Sequence, residues 1–222
     1  MAASVQWIHP DAPLFRTVAL MTDAYSPIPE LNLLKEFEER VGAHRYADGF
    51  SLLNFEYNRK DHLGSSSRNP DDAELIDRLI PFAEATAGGS VWALWRHDDR
   101  SDLAALPVVF LGDEGDTWVH ARDLREFFRL IPVNREFMDE GEEEDLDRLF
   151  PDRQQYLAWL HRHFGLTAPD EEEEAALIEA AMGEYGRPFA AWLRRFPSHE
   201  GVAEEMTGLL EDYGIPSSPE PA

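Results

Sequence analysis

The chain has 222 residues, of which 43% are hydrophobic and 11% aromatic, a composition typical of a folded globular protein. It contains no cysteine, which excludes disulfides, a thiol nucleophile and thiolate metal sites. Its 44 acidic and 20 basic residues give a formal net charge of -24, and this charge argues against direct binding to the phosphates of a nucleic acid.

The first third of the chain predicts two strands and one helix. Residues 15–21 have the composition of a strand. Residues 29–41 carry apolar side chains at helical spacing and predict a helix. Residues 50–57, FSLLNFEY, are rich in β-favouring aromatic residues and predict a strand, which we place beside the strands that follow later in the chain.

The middle of the chain, residues 79–131, has the pattern of one continuous supersecondary unit. A helix is predicted over residues 71–87, with Leu75, Leu79 and Phe82 facing inward, and the Gly88-Gly89 pair is expected to end it. Three short apolar strands and a second helix are predicted to follow. Because the connections between these strands are short, we expect them to pair antiparallel; the predicted strands cover residues 91–96, 106–111 and 117–120.

The same unit resembles a known protein family. The residues that carry the likeness are Pro81-Phe82-Ala83, Gly88-Gly89-Ser90, Ala93-Leu94-Trp95, Pro107 to Gly112, Glu114-Gly115, and Ala121 to Phe127. Together they are similar to the SUKH superfamily, which includes a yeast cell-wall-synthesis regulator and many bacterial immunity proteins that neutralise toxins. The resemblance covers about a quarter of the chain, and residues 28–50 lack the family's usual amino-terminal signature. It implies an α+β fold and a role in binding a protein.

Residues 139–222 differ in charge and pattern from the rest of the chain. They carry 21 acidic and 6 basic residues, against 23 and 14 in residues 1–138. Residues 139–147, DEGEEEDLD, predict a solvated linker or the start of a helix. The sequence beyond them predicts four helices: one over residues 152–164 that Gly165 ends, one after Pro169, one with Pro188 in its first turn, and one that Ser198 can cap. We therefore expect two parts: an α+β domain over residues 1–138, and an acidic linker with a helical extension packed on it over residues 139–222.

Evidence for catalysis is weak in this sequence. The only close pair of histidines, His161 and His163, lies two apart on a predicted helix, so the two side chains point away from each other and do not chelate one metal. The serines of residues 65–67 lack the flanking glycines of a nucleophile elbow. We predict no enzyme activity, no metal and no cofactor, although side chains from distant segments can still converge in a fold.

Two acidic turns and two tryptophans are the candidate partner-binding residues. In the structural interpretation, the turns are polar connections between strands and the tryptophans are core residues. The alternative is an interface in which the carboxylates engage basic groups of a partner and an exposed tryptophan is the apolar anchor. The candidate residues for that interface are Asp98, Asp99, Asp113, Glu114, Asp116, Trp95 and Trp118.

The sequence as a whole predicts an α+β protein with a small, mainly antiparallel sheet flanked by helices and a C-terminal helical extension. The resemblance and the acidity both favour a non-catalytic immunity-type protein that occludes a bacterial toxin, with a cationic nuclease-type toxin as the partner. A housekeeping scaffold or regulatory protein that binds an endogenous partner is the alternative. The sequence contains no membrane-length apolar run and no leader pattern, so we expect a cytoplasmic address.

Overall fold

A computed structural model describes residues 24–55, 63, 73–134, 145–196 and 200–214. Five strands and eight helices are found in these residues, with short 3-10 turns between some of them. The strands are β1 (Ser51–Leu52), β2 (Leu79–Glu84), β3 (Val91–Trp95), β4 (Val108–Leu111) and β5 (Thr117–Ala121). The helices are α1 (Pro29–Val41), α2 (Ala73–Arg78), α3 (Leu124–Leu130), α4 (Leu146–Leu149), α5 (Arg153–Phe164), α6 (Glu171–Ala181), α7 (Arg187–Leu193) and α8 (Glu200–Asp212).

The strands form one antiparallel sheet in the order β1-β2-β3-β4-β5, so the predicted α+β class is confirmed. Each strand neighbours the next strand along the chain, as expected for short connections. Strands β3 and β4 are buried over their whole length, because helices cover both faces of the sheet. Continuous apolar runs such as residues 108–111 are typical of strands covered in this way.

The two faces of the sheet pack into two apolar cores. Successive residues of a strand point to opposite faces. Trp92 accordingly lies in one core, with α1, α3 and α5, whereas Trp95 lies in the other, with α7 and α8. The two tryptophans therefore lie on opposite faces of the sheet. Both cores also contain residues from the C-terminal part of the chain, among them Tyr156 in the first core and Phe189 in the second.

Strand β2 corrects the helix predicted over residues 71–87. Helix α2 ends at Arg78, and Leu79–Glu84 is a strand that pairs with both β1 and β3. Pro81 lies where the register of the β2–β3 pair shifts, in the part of β2 that the two-residue strand β1 does not reach. Proline has no N–H for a ladder hydrogen bond, so this uncovered position suits it. The Gly88-Gly89 pair lies in the β2–β3 turn, with Gly89 at a φ of 110°, and does not end a helix.

Several predicted elements have a clear outcome. The helix at Pro29–Val41 is confirmed, as is the helix that ends at Gly165, which adopts a left-handed conformation. Of the strand predicted over residues 50–57, the described residues 50–55 contain the strand Ser51–Leu52, which pairs with β2, and residues 56–57 lie outside the described residues. The strand predicted over residues 15–21 and the predicted boundary at residues 138–139 lie outside the described residues.

Helices α6 and α7 are joined without a break through a π-helical segment, Met182–Gly186. The sequence predicted a new helix at Pro188, but the chain remains helical through it. A proline inside an α-helix clashes with the carbonyl four residues earlier, and the wider π turn relieves this conflict at Glu184. The π segment also covers the outer edge of β5, where the backbone N–H of Val119 lies 3.4 Å from the sulfur of Met182.

Candidate protein-binding groove

The five predicted acidic residues lie at opposite ends of the sheet. Asp98 and Asp99 follow the end of β3, whereas the turn of residues 112–116 joins β4 to β5. Because Val91 pairs with Leu111 in the antiparallel β3–β4 ladder, this turn lies beside the start of β3. A five-residue strand spans about 17 Å, so the two acidic groups do not form one surface.

Asp98 and Asp99 are each paired with an arginine of this chain. The Nε–H of Arg100 is shared between the two carboxylate oxygens of Asp98, at 2.8 and 3.0 Å, and Nη2 donates a further hydrogen bond to Oδ2 at 2.6 Å. These bonds hold the pKa of the Asp98 carboxyl well below its usual range. Arg78 pairs with Asp99 at 3.2 Å, although Asp99 remains 84% exposed. Asp98 therefore shapes the β3–β4 connection, and its charge is already balanced.

Trp95 lies inside the protein. It is 3% exposed, and its ring packs against those of Phe189 and Trp192 at centroid distances of 4.9 and 5.7 Å. This position agrees with the core interpretation of the tryptophan. In this structure Trp95 has no appreciable surface to offer to a partner.

The second acidic turn has one structural carboxylate and two exposed ones. Ser90, which is buried, donates its hydroxyl to Asp113 and accepts the backbone N–H of Asp113 at 3.1 Å. Asp113 thus ties the β4–β5 turn to the β2–β3 turn. Glu114 and Asp116 are exposed at the same end of the sheet.

A groove of about 290 Å³ lies beside this turn, between the edge strand β5 and the helices α6 and α8. It is the place where the structure brings two of the predicted residues, Asp116 and Trp118, together. Its walls combine two carboxylates with aromatic, aliphatic and histidine side chains. The lining residues are Asp116, Thr117, Trp118, His120, Ile178, Glu205, Met206, Leu209 and Tyr213.

Trp118 is half-buried and held in a fixed orientation. Its ring stacks on Phe110 with a centroid distance of 4.0 Å and an interplanar angle of 26°. Its indole Nε1–H donates to Nδ1 of His120 at 3.2 Å. Trp118 is therefore an aromatic side chain that reaches the groove and loses little conformational freedom when it binds, as is typical of interface anchors.

His120 forms the inner wall of the groove. It is only 3% exposed, and its ring centroid lies 4.8 Å from that of Trp92. Burial lowers the pKa of His120 to about 4, so the imidazole is neutral near pH 7. Because Nδ1 accepts the hydrogen bond from Trp118, the proton of the neutral ring lies on Nε2.

Sequence reasoning missed seven of the nine lining residues, among them His120, Glu205 and Tyr213. His120 follows Trp118 by two residues on the same strand, and this spacing indicates that both side chains share one face of the sheet. Tyr213, at the end of α8, is 39% exposed. Glu205 and Tyr213 come from a distant segment, and no local pattern places them beside β5.

Within the described ranges, no group of three or more histidine, aspartate or glutamate residues is arranged to hold a metal ion. The same part of the chain contains no helix that is long and apolar enough to cross a bilayer. Comparisons with known protein families, curated proteins and solved structures give no match for this chain.

Proposed function

We propose that this chain is a non-catalytic protein-binding protein of the immunity type, which binds and occludes a cationic bacterial toxin in the cytoplasm. The observation that carries the proposal is the groove beside β5, where the fixed, half-exposed ring of Trp118 lies among the carboxylates of Asp116 and Glu205. An aromatic anchor surrounded by polar groups is the arrangement in which interface binding energy concentrates.

The charge of the chain supports a basic partner. A net charge of -24 attracts a cationic surface, and it accelerates encounter most strongly at low ionic strength. The resemblance of residues 79–131 to the SUKH superfamily supports an immunity role in particular. In this mechanism the protein blocks the toxin sterically, so one molecule neutralises one toxin and neither is chemically changed.

The test begins with affinity capture from the source cells and identification of the captured polypeptide by mass spectrometry. We expect a basic polypeptide that arrests growth when it is produced alone and is neutralised by an equimolar amount of this protein. The association rate constant should fall at least about tenfold when the salt concentration is raised from about 0.05 to 0.5 M.

Three outcomes would contradict the proposal. Capture of a non-toxic housekeeping protein would favour the scaffold alternative. Neutralisation by a small, substoichiometric amount of protein would indicate catalysis rather than occlusion. An association rate that does not change with ionic strength would exclude electrostatic steering as the reason for the acidity.

A further inference from the structure

Several carboxylates of the described chain are paired with a cationic side chain, whereas the two carboxylates of the groove are not. Asp98, Glu126 and Glu173 each accept a hydrogen bond from an arginine of the same chain at 2.6 Å. Asp116 and Glu205, by contrast, have no ion-pair partner among the residues that the structure describes. Two uncompensated negative charges therefore line one groove, and a cation is the group that complements them.

The aromatic surface between these charges selects the kind of cation. Phe110 covers one face of the Trp118 indole, and the part of the ring that remains exposed lines the groove. A planar guanidinium stacks on an indole and can also donate hydrogen bonds to carboxylates in its own plane. A lysine ammonium is a strongly hydrated point charge and fits such a surface less well.

His120 is a polar side chain in the wall of the groove. It is a nearly fully buried polar side chain, its Nδ1 is bonded to Trp118, and no described residue hydrogen bonds to its Nε2. The Nε2–H of the neutral ring can therefore donate to a ligand. The void behind the ring has no room for a water, so the groove is the side from which an acceptor can approach.

We propose that the groove binds one arginine side chain of the partner protein, with its guanidinium on the Trp118 ring and against the Asp116 and Glu205 carboxylates, while a backbone carbonyl of the same segment accepts from His120 Nε2–H. The volume of 290 Å³ suits one side chain and the backbone beside it. This inference rests on the proposed function and adds the chemistry of the contact.

The first experiment needs only the full chain and a capped Gly-Arg-Gly peptide as the probe. Nuclear magnetic resonance of the tryptophan indole N–H groups, with the Trp118 signal assigned from Trp118→Phe, reports on the groove directly. We expect the Arg peptide at millimolar concentration to shift the Trp118 and His120 signals, the matched Lys peptide to shift them less, and the uncharged citrulline peptide to leave them in place.

A pair of double variants tests the carboxylates. Asp116→Asn with Glu205→Gln should weaken binding of the Arg peptide at least about tenfold, which corresponds to about 1.4 kcal/mol. The matched control is Asp99→Asn with Glu39→Gln, which removes the same charge from exposed sites outside the groove and should change the affinity less than about twofold.

The outcomes separate this inference from the proposed function. Shifts that do not distinguish the arginine from the citrulline peptide, or an equal loss in both double variants, would overturn the arginine site. If the captured toxin binds the Asp116→Asn, Glu205→Gln variant as tightly as the wild type, the arginine site is wrong and the immunity role stands. If the Arg peptide binds as expected but the captured partner is not a toxin, the site stands and the immunity role fails.

Discussion

Trp118 donates its indole N–H to Nδ1 of His120 at 3.2 Å, and this bond joins a half-buried ring to a buried one on the same edge strand. The bond gives the Trp118 donor a partner inside the protein and fixes the tautomer of a neutral His120. The orientation of the aromatic surface in the groove thus depends on an imidazole that is kept uncharged by burial.

The stability of the protein should depend on pH through His120. Its pKa is lowered to about 4 in the folded state, whereas in the unfolded chain it lies near 6.5. The unfolded state therefore binds a proton between these values and the folded state does not, so stability is complete above pH 6.5 and is lost as the pH falls toward 4. The shift corresponds to about 3 kcal/mol.

This effect is measured by urea unfolding at several pH values between 7 and 4 for the wild type and for His120→Gln. The glutamine can accept the Trp118 hydrogen bond but does not titrate, so we expect its stability to fall less steeply. His161→Gln, at an exposed site on α5, should follow the wild type. Identical slopes for the wild type and His120→Gln would show that His120 is not buried as a neutral group.

Glu38 should stabilise the first core through two hydrogen bonds. Its Oε1 accepts from the backbone N–H of Leu52 at 3.1 Å and from the hydroxyl of Tyr46 at 3.2 Å, and the side chain is buried. Glu38→Ala leaves both donors without an acceptor and should lower the free energy of unfolding by about 2 to 4 kcal/mol. Glu38→Gln retains an oxygen acceptor and should cost clearly less. A larger loss in the glutamine variant than in the alanine variant would contradict this account.

Glu38 should also give a pH dependence opposite to that of His120. Burial raises the pKa of Glu38, so the folded state holds its proton to a higher pH than the unfolded chain does. The protonated carboxyl of Glu38 therefore contributes stability at a pH below its pKa in the unfolded chain. This contribution is lost as the pH rises through its higher pKa in the folded protein. Urea unfolding of Glu38→Gln should lack this loss, and the same loss in both proteins would assign it to another group.

Gly186 should be required where the π segment meets α8. A Cβ built on Gly186 would lie 2.5 Å from Cδ2 of the buried Leu210. Gly186→Ala should therefore lower the free energy of unfolding by about 1 to 3 kcal/mol. Gly183→Ala is the matched control, because its Cβ meets nothing within 4 Å and alanine favours a helix by about 0.5 to 1 kcal/mol over glycine. Thermal unfolding that shows equal effects for both variants would contradict this packing.

Ser90 should hold the two turns at one end of the sheet together. Its hydroxyl both donates to and accepts from Asp113, so Ser90→Ala should cost about 1 to 2 kcal/mol of unfolding free energy. Ser101→Ala, at an exposed position, should cost less than about 0.5 kcal/mol. Denaturant unfolding measures both variants. An equal loss of unfolding free energy in Ser90→Ala and Ser101→Ala would contradict the structural role assigned to Asp113.

The sequence predicted the elements whose local pattern has a single interpretation. In α1 the apolar spacing, the proline at the start and the glycine just after the end all agree, and the predicted bounds match. Strand β2 was missed because Leu75, Leu79 and Phe82 have helical spacing. In the structure Leu75 and Leu79 lie in one core and Phe82 in the other. Pro81 was the signal against a helix, since proline is strongly disfavoured in a helix interior.

The candidate site was only partly predictable, for a geometric reason. Successive turns of an antiparallel meander lie at alternate ends of the sheet, so Asp98 and Asp116 could have been assigned to different ends from the order of the strands alone. The meeting of Trp118 with Glu205 and Tyr213 depends on how α8 packs on the edge strand. Glu205 and Tyr213 lie 87 and 95 positions after Trp118, and no local periodicity encodes their contact with it.

The π segment sets the rotational phase between the two halves of a long helix. Each residue turns an α-helix by about 100°, so the extra residue of a π turn redirects every side chain that follows it. Ala181 before the segment and Phe189 after it both reach the same core. A one-residue deletion here would leave the helix intact but turn the apolar side of its second half away from the sheet. Insertions and deletions should therefore be tolerated less well at this segment than in the loops.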